Sequence, residues 1–432
     1  MMKIFPTLFA AIVFLVGLNL RPMLAIIGPL FPVLQQQTGL SATVFSLLTA
    51  LPVAMMGLAA LFGPWLIARF GPVTGIAIGL LCLTVACLWR GLNLTSAQLM
   101  LTALAGGAGI GVIQAMMPAL IRQRFADAAA TLMALFSTGI MAGAALTAAS
   151  AEPLFSMLGL QPALALSGGL TLIALLIWLS AVRRSPQVSL ASEAMTLPAP
   201  RTLLLTLFFG IGTGAYTLVL AWLPPFYIQL GWSARHSGYL LAALTLTEVV
   251  AGFIVTATLH RFPDRRPLLL GVLVLLLAGL LSLVFYPNTM PLLSVLLLGT
   301  GIGALFPLSL IVTLDHARSA REAAVLLSRV QGGGYLIAAL MPLVAGWVRD
   351  SGATLNQAWL IMSAGVVLLM AMACRFRAQN RAALTKPLPF NGDLACWNKP
   401  PRTGVQCESY WSVRRHVLGI YRALLPHSQS AG

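Results

Sequence analysis

Three ionised side chains, Arg21, Glu248 and Arg329, stand inside long apolar stretches of this chain. An arginine at the centre of a membrane helix costs ~2.5–3.5 kcal/mol even on the lenient insertion scale, so each of the three needs a reason to be there. A guanidinium in such a place can hold an anion through charge-assisted hydrogen bonds with no risk of deprotonating. A carboxylate there can take up and release a proton as its surroundings alternate between wet and dry.

Arg21 is followed by Pro22, which has no N–H and so leaves the Leu18 carbonyl without its helical donor; Pro29 and Pro32 do the same to Ala25 and Gly28. A kinked helix with polar backbone turned toward a cavity is expected. Two readings of Arg21 stay open: a substrate-binding anion site, or an arginine that holds the freed carbonyls or pairs with Glu248. Asn19 would steady a bound anion, although on a regular helix it points about 200° away from Arg21.

Glu248, with Thr245 and Thr247 beside it, reads as a proton carrier or as the counter-ion of an arginine. Arg329 lies close enough to the end of its block to snorkel. Gln114, Tyr216 and Gln331 are uncharged polar groups in apolar blocks, each able to bind substrate or only another helix. Asp315-His316 has no nucleophile context and borders Arg318 and Arg321, so it reads as a gate or a loop ion pair; Arg69 is the other gating candidate.

The elements that carry these residues follow from composition. The chain has 432 residues, 59% hydrophobic and 8% charged, with a mean hydropathy of +0.92, against ~25% charged in an ordinary soluble domain. Apolar blocks long enough to cross a bilayer recur at about 5–34, 44–67, 73–90, 97–121, 128–150, 163–182, 202–229, 237–259, 267–286, 290–314, 323–347 and 355–374. They are uniformly apolar rather than alternating, which predicts an all-α integral membrane protein of twelve transmembrane helices and excludes a barrel. The first block is too long for a signal peptide and is expected to be the first membrane helix.

A net charge of +16 would suggest nucleic acid in a soluble protein, but its placement argues against that. Nine of the 26 Lys and Arg lie in the last 58 residues. Before the tail, twelve flank one set of block ends (Lys3, Arg69, Arg122, Arg124, Arg183, Arg184, Arg201, Arg261, Arg265, Arg266, Arg318, Arg321) and three flank the other (Arg90, Arg235, Arg349). That bias predicts both termini in the cytoplasm.

The polar stretch 183–201 reads as a cytoplasmic linker between six-helix bundles at 1–182 and 202–374, with a disordered tail at 375–432. The bundles repeat at an offset of 192. Between Leu30 and Ala50, seven of 21 positions are identical in the second copy, among them Pro32 and Pro224, Gly39 and Gly231, Ser41 and Ser233. The offset also carries Arg69-Phe70 onto Arg261-Phe262, and Gly107, Gly109, Ile110, Gly111 onto Gly299, Gly301, Ile302, Gly303. Parallel six-helix repeats describe the major facilitator fold, whose halves rock about a site near midplane.

The glycine runs are not phosphate loops, since no Gly-Lys-Ser/Thr follows; they read as close-packing faces, static or sliding. Five cysteines without paired spacing predict no metal and no disulfide. No cofactor is implied. With no nucleophile or metal constellation and no attached signalling domain, a carrier is preferred over an enzyme or a receptor.

Gly-Leu-Asn-Leu-Arg-Pro at Gly17–Pro22, Leu-Leu-Thr-Ala-Leu-Pro-Val at Leu47–Val53 and Gly-Ile-Gly-Val-Ile-Gln-Ala-Met-Met-Pro at Gly109–Pro118 resemble the bacterial cyanate transporter family. Ala-Trp-Leu-Pro-Pro-Phe-Tyr-Ile at Ala221–Ile228, Asp264–Arg266, Phe306–Leu308, Leu314–His316 and Gln331-Gly332 are similar too, so the resemblance runs from about residue 10 to 375. It implies a major facilitator carrier of the inner membrane, moving cyanate or a related small solute such as a nitroimidazole. Separately, a monomer is expected, with a proton carried by Glu248 as the candidate coupling ion. One departure is Ala68, where the family fold's signature has an aspartate beside Arg69. The other is the tail after about Ala383, which extends beyond the resemblance.

Overall fold

The computed structural model describes residues 6–92, 95–125, 128–182, 199–262, 264–317 and 320–376. The expected linker, apart from residues 199–201, and the tail beyond 376 with Cys396 and Cys407 lie outside the described residues.

Twelve helical spans among the described residues are long and apolar enough to cross a membrane. The first is broken into α1 (Pro6–Leu18), α2 (Pro22–Ala25) and α3 (Phe31–Thr38). It is followed by α4 (Ala42–Leu61), the short α5 (Gly63–Phe70), α6 (Pro72–Trp89), α7 (Ser96–Arg124), α8 (Ala129–Leu158) and α9 (Leu160–Ala181). The second half begins with α10 (Ala199–Gln229), α11 (Ala234–Thr258), α12 (Arg266–Phe285) and α13 (Pro291–Asp315). Its eleventh span is α14 (Ala320–Ala338) plus α15 (Leu340–Asp350), and the twelfth is α16 (Leu355–Ala373). Helix α10 starts two residues before the expected end of the linker, and α8 runs eight residues past the expected end of its block.

The sequence repeat reappears as repeated local chemistry. Gly39 and Gly231 both have positive φ (65° and 93°), the left-handed turn that glycine adopts without a Cβ penalty. Two residues later Ser41 and Ser233 each cap the next helix, accepting from the N–H of Val44 and of His236. These identical glycines and serines therefore form the turn that reverses the chain between the first two spans of each half.

Proline breaks are healed in specific ways. The carbonyl of Ala338, deprived of its donor by Pro342, accepts from Thr217 at 2.8 Å. The Leu18 carbonyl, freed by Pro22, lies so close to α8 that a methyl on Gly143 would collide with it. Gly28 takes a shorter-range bond from Phe31 at 3.2 Å.

Gly107 and Gly111 admit Pro52, Met56 and Ala59 of α4, whereas Gly299 and Gly303 admit Leu244, Thr247 and the Glu248 backbone of α11. Both runs therefore pack helices within one half. The seams between halves rest on other small residues. On the face carrying Arg69, a methyl at Gly57 would sit 2.8 Å from the Gly332 carbonyl, and Ser328 donates to the Ala60 carbonyl at 2.7 Å. Toward the face carrying Gly39, Gly238 abuts the Ala148 carbonyl and Gly346 abuts Ala42 and Ser46.

Candidate substrate site

Between the halves lies a cavity of about 250 Å³. Its polar wall is built from Arg21, Thr213, Tyr216, Glu248 and Tyr335, and its apolar wall includes Met56, Met141, Phe253 and Phe306. Breaking the first span puts Arg21 here: α1 stops at Leu18, and Arg21 sits at the N-terminus of the short α2, with φ −110° and ψ −17°. The break falls at Pro22, where the proline pattern predicts a kink.

Arg21 is 6% exposed, yet its guanidinium makes no ion pair among the described residues. Nη1 points at the Met56 sulfur (3.9 Å), the guanidinium carbon stands 5.3 Å from the Tyr216 ring centroid, and Nε has no hydrogen-bond partner. In the same cavity, both carboxylate oxygens of Glu248 and the Tyr216 hydroxyl are also without hydrogen-bond partners among the described residues. Buried polar groups normally find partners, and four unsatisfied atoms converging on one cavity define a place for a polar ligand.

The repeat gives this site its geometry. Adding 192 to Arg21 gives Thr213, and subtracting 192 from Glu248 gives Met56; all four line the cavity. The cation of the first half and the carboxylate of the second thus occupy inequivalent positions of one repeated framework and line the same cavity. Neither Thr213 nor Met56 was singled out from sequence, although applying the offset to the two buried charges would have found both. Tyr335 carried no comparable signal.

Other candidates stand elsewhere. Asn19 donates to the Leu15 carbonyl (2.9 Å) and accepts from Thr171 (3.1 Å), tying α1 to α9 away from the cavity lining. Gln114 and Gln331 are half-buried outside the lining, Gln331 immediately before the seam residue Gly332. Asp315 pairs with Arg265 (3.3 Å), joining α13 to the start of α12 inside the second half. Arg69 is exposed in the last turn of α5, and Arg329 is exposed on α14.

Arg90 requires a correction. Expected among the loop charges, it is 1% exposed, with Nη1 donating to the Met23 carbonyl and Nε to the Thr102 hydroxyl, both at 3.0 Å. The arginine that holds a carbonyl of the broken first span is Arg90 and not Arg21.

The Gly39 face is closed. Asp350 accepts from the N–H groups of Ala42 (2.9 Å) and Thr43 (2.8 Å), so the end of α15 caps the N-terminus of α4 in the other half. Arg235 pairs with Glu152 at 2.9 Å, again across the halves. Beneath them Phe31, Phe45 and Trp222 pack with centroids 4.3–5.6 Å apart, and the Arg349 guanidinium lies 5.1 Å from the Phe31 ring.

Twelve spans in two repeated halves around a central cavity are the architecture of a secondary transporter, and comparison with known proteins agrees. The Major Facilitator Superfamily model matches residues 8–328, and a D-xylose–proton symporter structure superposes with a TM-score of 0.69 at 15% identity, covering 86% of this chain and 97% of that one. Among curated relatives, the cyanate transport protein CynX of Escherichia coli (strain K12) is 39% identical over 368 residues, 84% of this chain and 95% of the relative. The 2-nitroimidazole transporter of the same strain is 29% identical over 372 residues, 84% and 93% of the two chains. The chain belongs to the Major Facilitator Superfamily and, within it, to the cyanate transporter family.

Proposed function

We propose that this multi-pass transporter moves a small anion, cyanate first, across the bacterial inner membrane by alternating access, as a monomer, with a proton on Glu248 travelling alongside. The observation that carries the reading is the set of unpartnered polar atoms on Arg21, Tyr216 and Glu248 around one cavity. Cyanate offers acceptors only. Arg21 and Tyr216 supply donors, but an ionised Glu248 facing the same space would repel the anion, so anion binding and protonation of Glu248 favour each other.

The orientation assigned is Arg69 face to the cytoplasm, with both termini on that side. The bias of basic residues supports it, more so once Arg90 is removed from the opposite face. Cysteines introduced as Ala68→Cys and Ser351→Cys in a cysteine-free background test it: an impermeant thiol reagent added to intact cells should label only the second. The transport reading is tested by uptake of labelled cyanate into proteoliposomes, with and without an acid-outside pH gradient. Uptake no faster than in protein-free vesicles overturns it.

A second reading is export of a flat heterocycle. The cavity far exceeds the ~30 Å³ share of a single water, and the rings of Tyr216, Tyr335, Phe253 and Phe306 line it. Competition between 2-nitroimidazole and labelled cyanate distinguishes the two.

A further inference from the structure

We propose that Arg90 is a positioning residue: from outside the cavity it clamps α2, the short middle piece of the broken first span, and so fixes where Arg21 points. From Asn19 to Ile27 the backbone is held mostly by tight turns: Asn19, Leu20, Leu24 and Ile27 donate three residues back, and only Ala25 and Ile26 donate four residues back as in an α-helix. Within it the Ile27 N–H bonds the Leu24 carbonyl at 3.3 Å, leaving Met23, whose carbonyl it would have joined in a continuing α-helix. Arg90 takes that carbonyl, two residues from Arg21, and reaches Thr102 through a second nitrogen of the same planar group. Thr102 in turn donates to the Leu99 carbonyl at 2.9 Å, so the clamp is anchored on α7.

An independent contact holds the same residue. The Met23 side chain fills the space a Cβ would occupy at Gly106, so α7 grips Met23 by its side chain while Arg90 grips it by its backbone. The repeat supplies a control. The positions 192 residues beyond Arg90 and Thr102 are Ser282 and Ser294, which bond each other at 2.8 Å and the carbonyls of Gly279 and Met290 at 2.7 and 3.1 Å. The corresponding first helix of that half, α10, is continuous from Ala199 to Gln229. The arginine clamp thus occurs in the half whose first span is broken, and the half with an unbroken helix carries serines there.

The binding part of this proposal rests on Arg21 as the anion site, so the test has two arms. Arg90→Lys keeps the charge and can reach either Met23 or Thr102, but lacks the fork that holds both. Hydrogen–deuterium exchange without substrate should then accelerate about tenfold across residues 20–28, while α6 and α7 keep parental protection. Exchange there unchanged, or protection lost equally throughout α6 and α7, overturns the clamp. In the second arm, the Arg90→Lys protein should show KM for cyanate raised about tenfold with Vmax near parental. A parental KM overturns the link to Arg21. Ser282→Ala should alter neither arm. If the parent itself moves no cyanate, the substrate reading fails and the exchange arm alone decides the clamp.

Discussion

Two glycine substitutions should drive the transporter in opposite directions. At Gly57 a Cβ would meet the Gly332 carbonyl at 2.8 Å, and at Gly238 it would collide with the Ala148 carbonyl; both obstacles are rigid backbone of the other half. Ordinary Cβ contacts begin near 3.4 Å, so Gly57→Ala overlaps by about 0.6 Å, and overpacking of this kind costs ~1–3 kcal/mol. The gain of up to ~1 kcal/mol in helix propensity is common to open and closed states and cancels. What remains acts only on the state in which that seam is shut, shifting the equilibrium by about 5- to 150-fold. Gly57→Ala should favour opening toward the Arg69 face and Gly238→Ala toward the Gly39 face. The assay is the rate at which Ser137→Cys, a cavity position, reacts with an impermeant thiol reagent supplied from one side or the other of proteoliposomes. Both variants shifting the same way, or neither changing the rate while folded, would refute the assignment of these glycines as gate contacts.

Four other outcomes are expected. Arg21→Gln should insert and fold with cyanate binding weakened by about 10- to 150-fold, the equivalent of one ~1.5–3 kcal/mol hydrogen bond to a charged group, and Arg21→Lys should fall between; parental binding by folded Arg21→Gln would remove Arg21 from the site. Glu248→Gln should retain cyanate uptake but lose its stimulation by a pH gradient, and stimulation that survives would exclude the carboxylate as the coupling group. Uptake by the parent should be indifferent to an imposed membrane potential, measured with a potassium gradient and valinomycin. Asp350→Ala removes an exposed cap worth ~1 kcal/mol and should speed labelling of Ser137→Cys from the Gly39 face about fivefold; an unchanged rate would show that the cap is dispensable to closure.

The spans were legible because bilayer thickness imposes a length and an apolarity that each block meets independently of its neighbours. The repeat was legible, and the structure gives a local reason for part of it: Gly39 and Ser41, with their copies Gly231 and Ser233, make turns and caps that depend only on backbone within a few residues. Arg90 was misread because position in a chain does not reveal where a long side chain goes. One residue past α6, it turns inward instead of out to solvent because the broken first span presents a carbonyl that needs a donor. Gly57 and Gly238 escaped notice for a related reason. The recurring glycine runs at 107–111 and 299–303 are conspicuous in sequence, whereas contacts between halves fall on isolated glycines whose partners lie on distant helices.

The two halves retain each other's turns and differ where they face the cavity, and that difference bears on coupling. Were both members of a symmetric pair arginine, the empty cavity would hold two buried positive charges; were both glutamate, two negative ones. With Arg21 opposite Thr213 and Glu248 opposite Met56, the empty site is neutral overall when both are ionised. Adding one anion makes it negative, and adding one proton to Glu248 restores neutrality. A half-loaded site carries a net charge that the low-dielectric bundle penalises during the transition, whereas the empty and the doubly loaded sites do not. Tight coupling of one proton to one anion then needs no direct bond between Arg21 and Glu248. It needs only that they share one cavity without pairing, which is how they are arranged.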